Sequence, residues 1–344
     1  MSAVHWPLAR RVARRAAGDY PLEGTYHDAL FARQAPALVE RAAELAAAET
    51  GLPWSGVPSV DVVTRREWAE ANIESFGRLL EPAEQALAGR GPGLGRRLGS
   101  RLVAVELGAL LGVMSRRVLG QYELVLPRGD ADDGDTVMFV GANVLWMERQ
   151  YEFRPDEFRF WVALHECTHR LQFTAVPWLR DYFFGLVTDL IAESVPEEGR
   201  VQRLAGELRA AAREGRPVVD ESGILGLLAT PGQRALIGKV QALMSLLEGH
   251  GHVVMDRIGG RSLVTQHRMA RILKRRRSDP RMAAFLRLSG LEMKMRQYEQ
   301  GERFILAVER QAGFRALDVV WEGPERLPTL DEITHPDRWL ARVG

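Results

Sequence analysis

Residues 155–173, read as P-D-E-F-R-F-W-V-A-L-H-E-C-T-H-R-L-Q-F, constrain the fold of this chain more than any other stretch. Pro155 suits a first helical turn, and Asp156 and Glu157 stand where the positive end of a helix dipole stabilises acids. Phe158, Trp161, Val162, Leu164, Leu171 and Phe173 then clothe the helix in apolar groups, so it must be largely buried. Two histidines on such a helix need partners in the interior.

Those histidines are His165 and His169, four residues apart and therefore on one helical face, with Glu166 directly after the first. The pattern His-Glu-x-x-His lets both imidazoles bind one metal ion while the glutamate reaches a water on that ion. The competing structural reading makes the pair core histidines and Glu166 an ordinary ion-pair partner. The spacing and the apolar flanks favour zinc.

Zinc in a catalytic site takes three protein ligands and a water, so a further residue is required. In residues 243–256, L-M-S-L-L-E-G-H-G-H-V-V-M-D, Glu248 interrupts an apolar helical run, where an acid is costly unless paired or metal-bound. Thr230 and Pro231 give this helix its start and Gly259-Gly260 its expected stop. Glu248, His252, Met255 and Asp256 share a face, whereas His250 points elsewhere. Glu248 is the expected third ligand, His252 its rival, and a buried acid held by an Arg or His the structural alternative.

The chain of 344 residues, 46% hydrophobic and 26% charged, is long enough for a large core or two packed lobes. A formal net charge of +1 supplies no global field for nucleic acid or an anionic membrane. Arg271–Arg277 lacks interleaved aromatics and reads as a solvated helix face, not a nucleic-acid patch. The lone Cys167 cannot form an internal disulfide and reads as a small buried hydrophobe. The N-terminus lacks the pattern of a secretory signal, and its Arg-rich opening reads as a solvated helix face. No apolar run reaches the length of a membrane span, so a cytoplasmic location is expected.

Residues 27–88 show apolar positions at helical spacing, broken by Thr50-Gly51-Leu-Pro53 and Pro58, and residues 1–100 are expected to form an all-helical N-terminal lobe. Gly89–Gly99 reads as a surface link to a catalytic region spanning 101–344. The period then changes, and Tyr122–Leu126 with Thr136–Val140 are expected to form a β-hairpin. Its strand edge could bind an extended peptide beside the metal helix. Asp130, Asp132, Asp133 and Asp135 in the intervening loop lack the late Glu of a calcium loop and read as solvated turn residues. Two helical segments are expected between Trp178 and Arg213, where they could roof a cleft. Tyr298, in a polar stretch, is a candidate proton donor to a tetrahedral oxyanion.

Several of these runs resemble the zincin-like metalloproteases often labelled deazaflavin-coenzyme biosynthesis-associated proteins. The likeness covers most of the chain: Val105–Gly112, Val118–Tyr122, Trp161–Phe173, Leu243–Asp256, Lys294–Phe304 and Trp321–Trp339. It implies a mainly α, zincin-like fold with a small hairpin or sheet beside the metal helix, His165 and His169 as ligands, and Glu166 as base. Glu248 is similar in position to the acidic third ligand of Glu-type zincins. Thermolysin-like members carry an Asp four residues after that Glu, where this chain has His252, with Asp256 one turn later. Support of the ligand shell could fall to His252, to Asp256, or to a differently docked helix.

The expected reaction is hydrolysis of a peptide or protein amide by metal-activated water. A small-molecule amidase would keep the metal and change the substrate. A non-catalytic, metal-stabilised helical protein would have no use for Glu166.

Overall fold

The computed structural model describes residues 4–88, 94–123, 135–193, 231–277 and 292–344, with the backbone alone for 82–88, 94–97, 191–193, 231, 276–277 and 292–298. It is mainly helical with one small three-stranded sheet, as expected. Two compact units are formed, Met1–Pro177 with Val254–Arg271, and Trp178–Val253 with Ile272–Gly344.

The first unit opens with α1 (Trp6–Ala17) and α2 (Tyr26–Thr50), the latter closed by Gly51 in the left-handed conformation with its N–H on the Ala47 carbonyl. Strand β1 (Ser59–Val63), α3 (Arg65–Ala88), α4 (Leu94–Met114), β2 (Gly120–Glu123), β3 (Thr136–Val140), α5 (Gly141–Tyr151) and α6 (Pro155–Ala175) follow. Ala9 and Ala13 of α1, Trp68, Ala69 and Ile73 of α3, Ala104 and Leu111 of α4 and Val140 of β3 form one buried cluster.

Two sequence expectations change here. The N-terminal stretch is not all-helical, because β1 joins the sheet parallel to β3, with Ser59 opposite Thr136 and Val63 opposite Val140. Five residues are too few to establish a period, and their partner strand lies far along the chain. The expected link at 89–99 is shortened, since α4 begins at Leu94 and residues 89–93 lie outside the described residues.

The hairpin is present. Strand β2 runs antiparallel to β3 with Tyr122 opposite Val137, although Leu124–Leu126 lie outside the described residues. Strand β3 is buried at every position, which fits a central strand covered on both faces and explains its unbroken apolar run. The sheet order is β1-β3-β2.

Helix α6 starts as expected at Pro155, with Asp156 and Glu157 in its first turn. Arg159 makes a two-pronged, buried contact with Glu148 of α5, at 2.7 and 2.9 Å, and donates to Gln34 of α2 at 2.8 Å. Arg170, 1% exposed, pairs with Asp135 at the head of β3, donates to the Ser55 carbonyl and lies over the Trp54 ring. Asp135 is therefore an anchor and not a solvated turn residue; Asp130, Asp132 and Asp133 lie outside the described residues.

Helix α7 (Leu179–Glu193) lies in the second unit, and the segment after it, to Arg213, lies outside the described residues. Helix α8 (Pro231–Ser262) begins at Pro231 as expected, while Thr230 lies outside the described residues. It does not stop at Gly259-Gly260. A glycine costs a helix only about 1 kcal/mol, and at Gly259 the missing side chain makes room for Trp161 and Gln266 of the same unit.

Helices α9 (Gln266–Arg277) and α10 (Glu292–Ala312) follow. In α9, Leu273 is buried while Arg271, Lys274 and Arg275 are exposed, the solvated face expected from its sequence. Within the second unit α8 and α10 cross at Gly249 and Gly301, where a side chain on either would collide with the other backbone. Short helices α11 (Leu330–Thr334) and α12 (Pro336–Val343) close the chain, with Trp339 fully buried against Phe304 and its indole N–H on the Arg326 carbonyl. Among the described residues no helix is long and apolar enough to cross a membrane.

Candidate metal centre and the strand beside it

Helical phase brings His165 and His169 together on α6. Their Nε2 atoms lie 3.1 Å apart and their rings meet edge to face. Two ligand nitrogens on one tetrahedral zinc, each at about 2.0–2.1 Å, would stand about 3.3 Å apart, so the spacing fits a shared ion. The donor set also fits. Gln172, fully buried one turn on, places its amide oxygen 2.9 Å from His169 Nδ1. In the tautomer whose Nδ1–H donates to that oxygen, the Nε2 lone pair is left to bind a metal shared with His165.

Glu166 is 5% exposed and turns toward β2. A β-carbon built on Gly120 would lie 2.8 Å from Glu166 Cγ and Oε1, so this strand position has room for the carboxylate only because it is glycine. Two residues on, Tyr122 stacks on Phe173 of α6 with ring centroids 6.5 Å apart. The alternate residues face α3: Gln121 bonds Asn72, and Glu123 accepts from Ser75. Period-two alternation thus gives β2 one face toward α6 and one toward α3.

Cys167 is fully buried, with its Sγ on the Val39 carbonyl at 3.5 Å. Burial, reinforced by the nearby Glu166 charge, pushes its thiol far above the ordinary range. It packs as a small hydrophobe and takes no part as a nucleophile.

On α8, Glu248 is half-buried and His252 is buried one turn later. Their possible ligand atoms lie within 4.8 Å of each other. His252 Nδ1 sits 3.0 Å from the Glu248 carbonyl, which fixes the ring against its own helix. His250 points elsewhere, as its phase requires, stacking on Phe314 and meeting Trp321 edge-on. Asp256 accepts from Gln266 Nε2 at 2.9 Å. Tyr298 lies on α10, and its side chain is outside the described residues.

The family model described as zincin-like metallopeptidase matches residues 4–340. The chain belongs to the zincin-like metallopeptidase family. Membership implies a divalent metal, typically zinc, and agrees with the fold described above. A crystal structure from Chloroflexus aurantiacus, described as a candidate hydrolase with a novel fold, is similar at 32% identity over 98% of each chain, with a TM-score of 0.72. Comparison with proteins of curated function gives no match. Together the family and this neighbour support a metallohydrolase, and they are silent on deazaflavin coenzyme biosynthesis.

Two residues beside the His165–His169 pair and Glu166 were not singled out from sequence, Gln172 and Gly120. Gln172 carries a usable signal, because a polar side chain three residues after His169 on an apolar helix must find a partner on the histidine face. Gly120 carries none, since its importance depends on which element lies opposite.

Proposed function

We propose that the protein is a zinc-dependent peptide or amide hydrolase in which His165, His169 and Glu248 hold the metal and Glu166 is the general base. One observation carries the reading: two buried-helix imidazole nitrogens 3.1 Å apart, one of them oriented by Gln172. A bound zinc would supply a Lewis acid and lower the pKa of its water to about 7.

Glu166 takes a proton from the attacking water and passes it to the leaving nitrogen. Its burial keeps bulk water from competing for that proton. Glu248 completes the ligand set as the carboxylate on an apolar helix face, and His252, held by its own backbone, is the alternative ligand or a support for the first. Tyr298 is assigned the lesser role of donor to the oxyanion. A peptide substrate is favoured over a small amide by β2, whose outer edge has no strand partner among the described residues.

The test is zinc content and peptide-library hydrolysis for wild type and variants. Wild type should carry about one zinc per chain, and Glu166→Gln should keep it while losing about 10²- to 10⁴-fold in kcat. His165→Ala should lose the metal, and Glu248→Gln should lose more metal than His252→Gln. A wild type that takes up no zinc, or a Glu166→Gln enzyme as active as wild type, refutes the proposal.

A further inference from the structure

Helices α1 and α4 of the first unit lie side by side and run in the same direction. The His5 N–H bonds the Ser100 carbonyl at 3.2 Å, and further along a side chain on Gly108 would collide with Ala9, and one on Gly112 with Ala13 and Ala16. Helix α3 packs against both from one side, as the cluster of Ala9, Ala13, Trp68, Ile73, Ala104 and Leu111 shows. Arg14 turns to that side and pairs with Glu70 of α3. Arg11 and Arg15, one turn apart, stand exposed on the side of α1 away from α3, and among the described residues neither pairs with a carboxylate. On α4, Leu98, Leu102 and Val105 are spaced as one helical row and are 61%, 60% and 42% exposed. Helical phase from the buried Ala104, Gly108 and Leu111 brings this row out on the same side as the two arginines.

We propose that this face of α1 and α4 docks peripherally on an anionic lipid surface, with Leu98, Leu102 and Val105 entering the headgroup boundary and Arg11 and Arg15 meeting lipid phosphates. The inference is independent of the hydrolase reading. An exposed apolar row rimmed by charge marks a contact surface, and its two halves match the two halves of a leaflet. The row runs about 10 Å along α4, enough to seat a helix side in the boundary between headgroups and acyl chains. Arginine stems lie along such a boundary while their guanidinium forks reach outward to phosphate oxygens. Nucleic acid would reward the arginines alone, since the row has no aromatic ring on which a base could stack. A formal net charge of +1 does not oppose the contact, because the attraction acts over a Debye length and is local. The Arg-rich opening is solvated, as its sequence suggests, and the apolar half of the surface comes from a different helix.

Flotation of the full chain with lipid vesicles tests this, using pure phosphatidylcholine and an equal mixture of phosphatidylcholine and phosphatidylglycerol. Wild type should partition onto the anionic vesicles about 10-fold or more above the neutral ones, and raising NaCl from about 0.05 to about 0.5 M should weaken that binding. Arg11→Gln/Arg15→Gln should lower partition about 20-fold, at about 5-fold per arginine. Leu102→Gln should lower it about 10-fold or more, because the apolar contact is lost while every charge is kept. Leu98→Gln is the second variant on the same row, and thermal melts matching wild type show that the fold is intact in each. Absence of binding to either vesicle overturns the proposal. Wild-type partition in both leucine variants also overturns it, since the arginines would then form a patch for any polyanion, nucleic acid included. A wild type that dimerises in solution, becomes monomeric in Leu102→Gln and ignores vesicles would make the face a contact between copies of this chain and refute the lipid assignment.

Discussion

Replacing Gly120 by alanine isolates the positioning of Glu166, the proposed base, from every other function proposed for the site. The new β-carbon would lie 2.8 Å from Glu166 Cγ and Oε1, whereas ordinary contacts begin near 3.4 Å, so one partner must move by about 0.6 Å. The strand is held by β3 on one side and by α3 beneath, so the carboxylate moves. A reacting group displaced by about 1 Å costs roughly 10²-fold, which puts the expected loss in kcat at about 10-fold or somewhat more, or about 1.4 kcal/mol upward. Zinc content should be unchanged, because the three atoms nearest the added carbon all belong to Glu166. The decisive comparison is with the double variant Gly120→Ala/Glu166→Gln. If the glycine acts through the carboxylate, adding Gly120→Ala to Glu166→Gln should cost less than about 2-fold. Equal additional losses in both backgrounds, or full activity in Gly120→Ala, would show the reasoning to be wrong.

Three further outcomes follow from the packing and charge of the fold. Gly301→Ala should lower stability by about 3 kcal/mol in chemical denaturation, because the added carbon would overlap the Ser245 carbonyl where α8 and α10 cross, and backbone cannot yield as a side-chain tip can. Cys167 should resist a thiol reagent at pH 8 in the native protein and react at once in denaturant, since burial raises its pKa and closes access. Stability should fall with acid as Glu332 and Glu49 are protonated. The Arg342 hydrogen bond, against the opposing effect of burial, holds Glu332 below the ordinary range; for Glu49 burial pushes upward and Arg257 and Arg261 outweigh it. Both folded-state values are depressed, so their contribution is complete above the unfolded-state pKa near 4.5 and is lost as pH drops through the folded-state values. Thermal melts between pH 6 and 3 should show that loss, and Glu332→Gln should flatten part of it.

Helix α6 was legible in the sequence because its constraints are local. Pro155 at the start, acids in the first turn and imidazoles four apart all follow from helical geometry, and the structure places them as read. The hairpin was equally local. The parallel pairing of β1 was not, since Ser59–Val63 finds its register only when β3 is already in place. Asp135 was misread for a related reason. Four acids in one loop look alike in sequence, and what separates Asp135 is a buried arginine on another element. The run through Gly259-Gly260 shows the opposite failure, in which a strong local stop signal yields to tertiary contact.

Strand β2, which faces Glu166, is held from three directions. Its inner edge is bonded to β3, and its α3 face is fixed by Gln121 on Asn72 and Glu123 on Ser75. Its approach is set by Asn143 of α5, whose amide donates to the Ser115 and Val118 carbonyls at 2.7 and 2.6 Å, while its oxygen accepts from buried Arg65. A lone two-stranded edge would be too compliant to fix a carboxylate. Braced in this way along its inner edge and its α3 face, the strand keeps the Gly120 face in a fixed position against Glu166. On the proposed reading of Glu166 as the base, the precision comes from the bracing behind the strand, and Gly120 in front need only leave room.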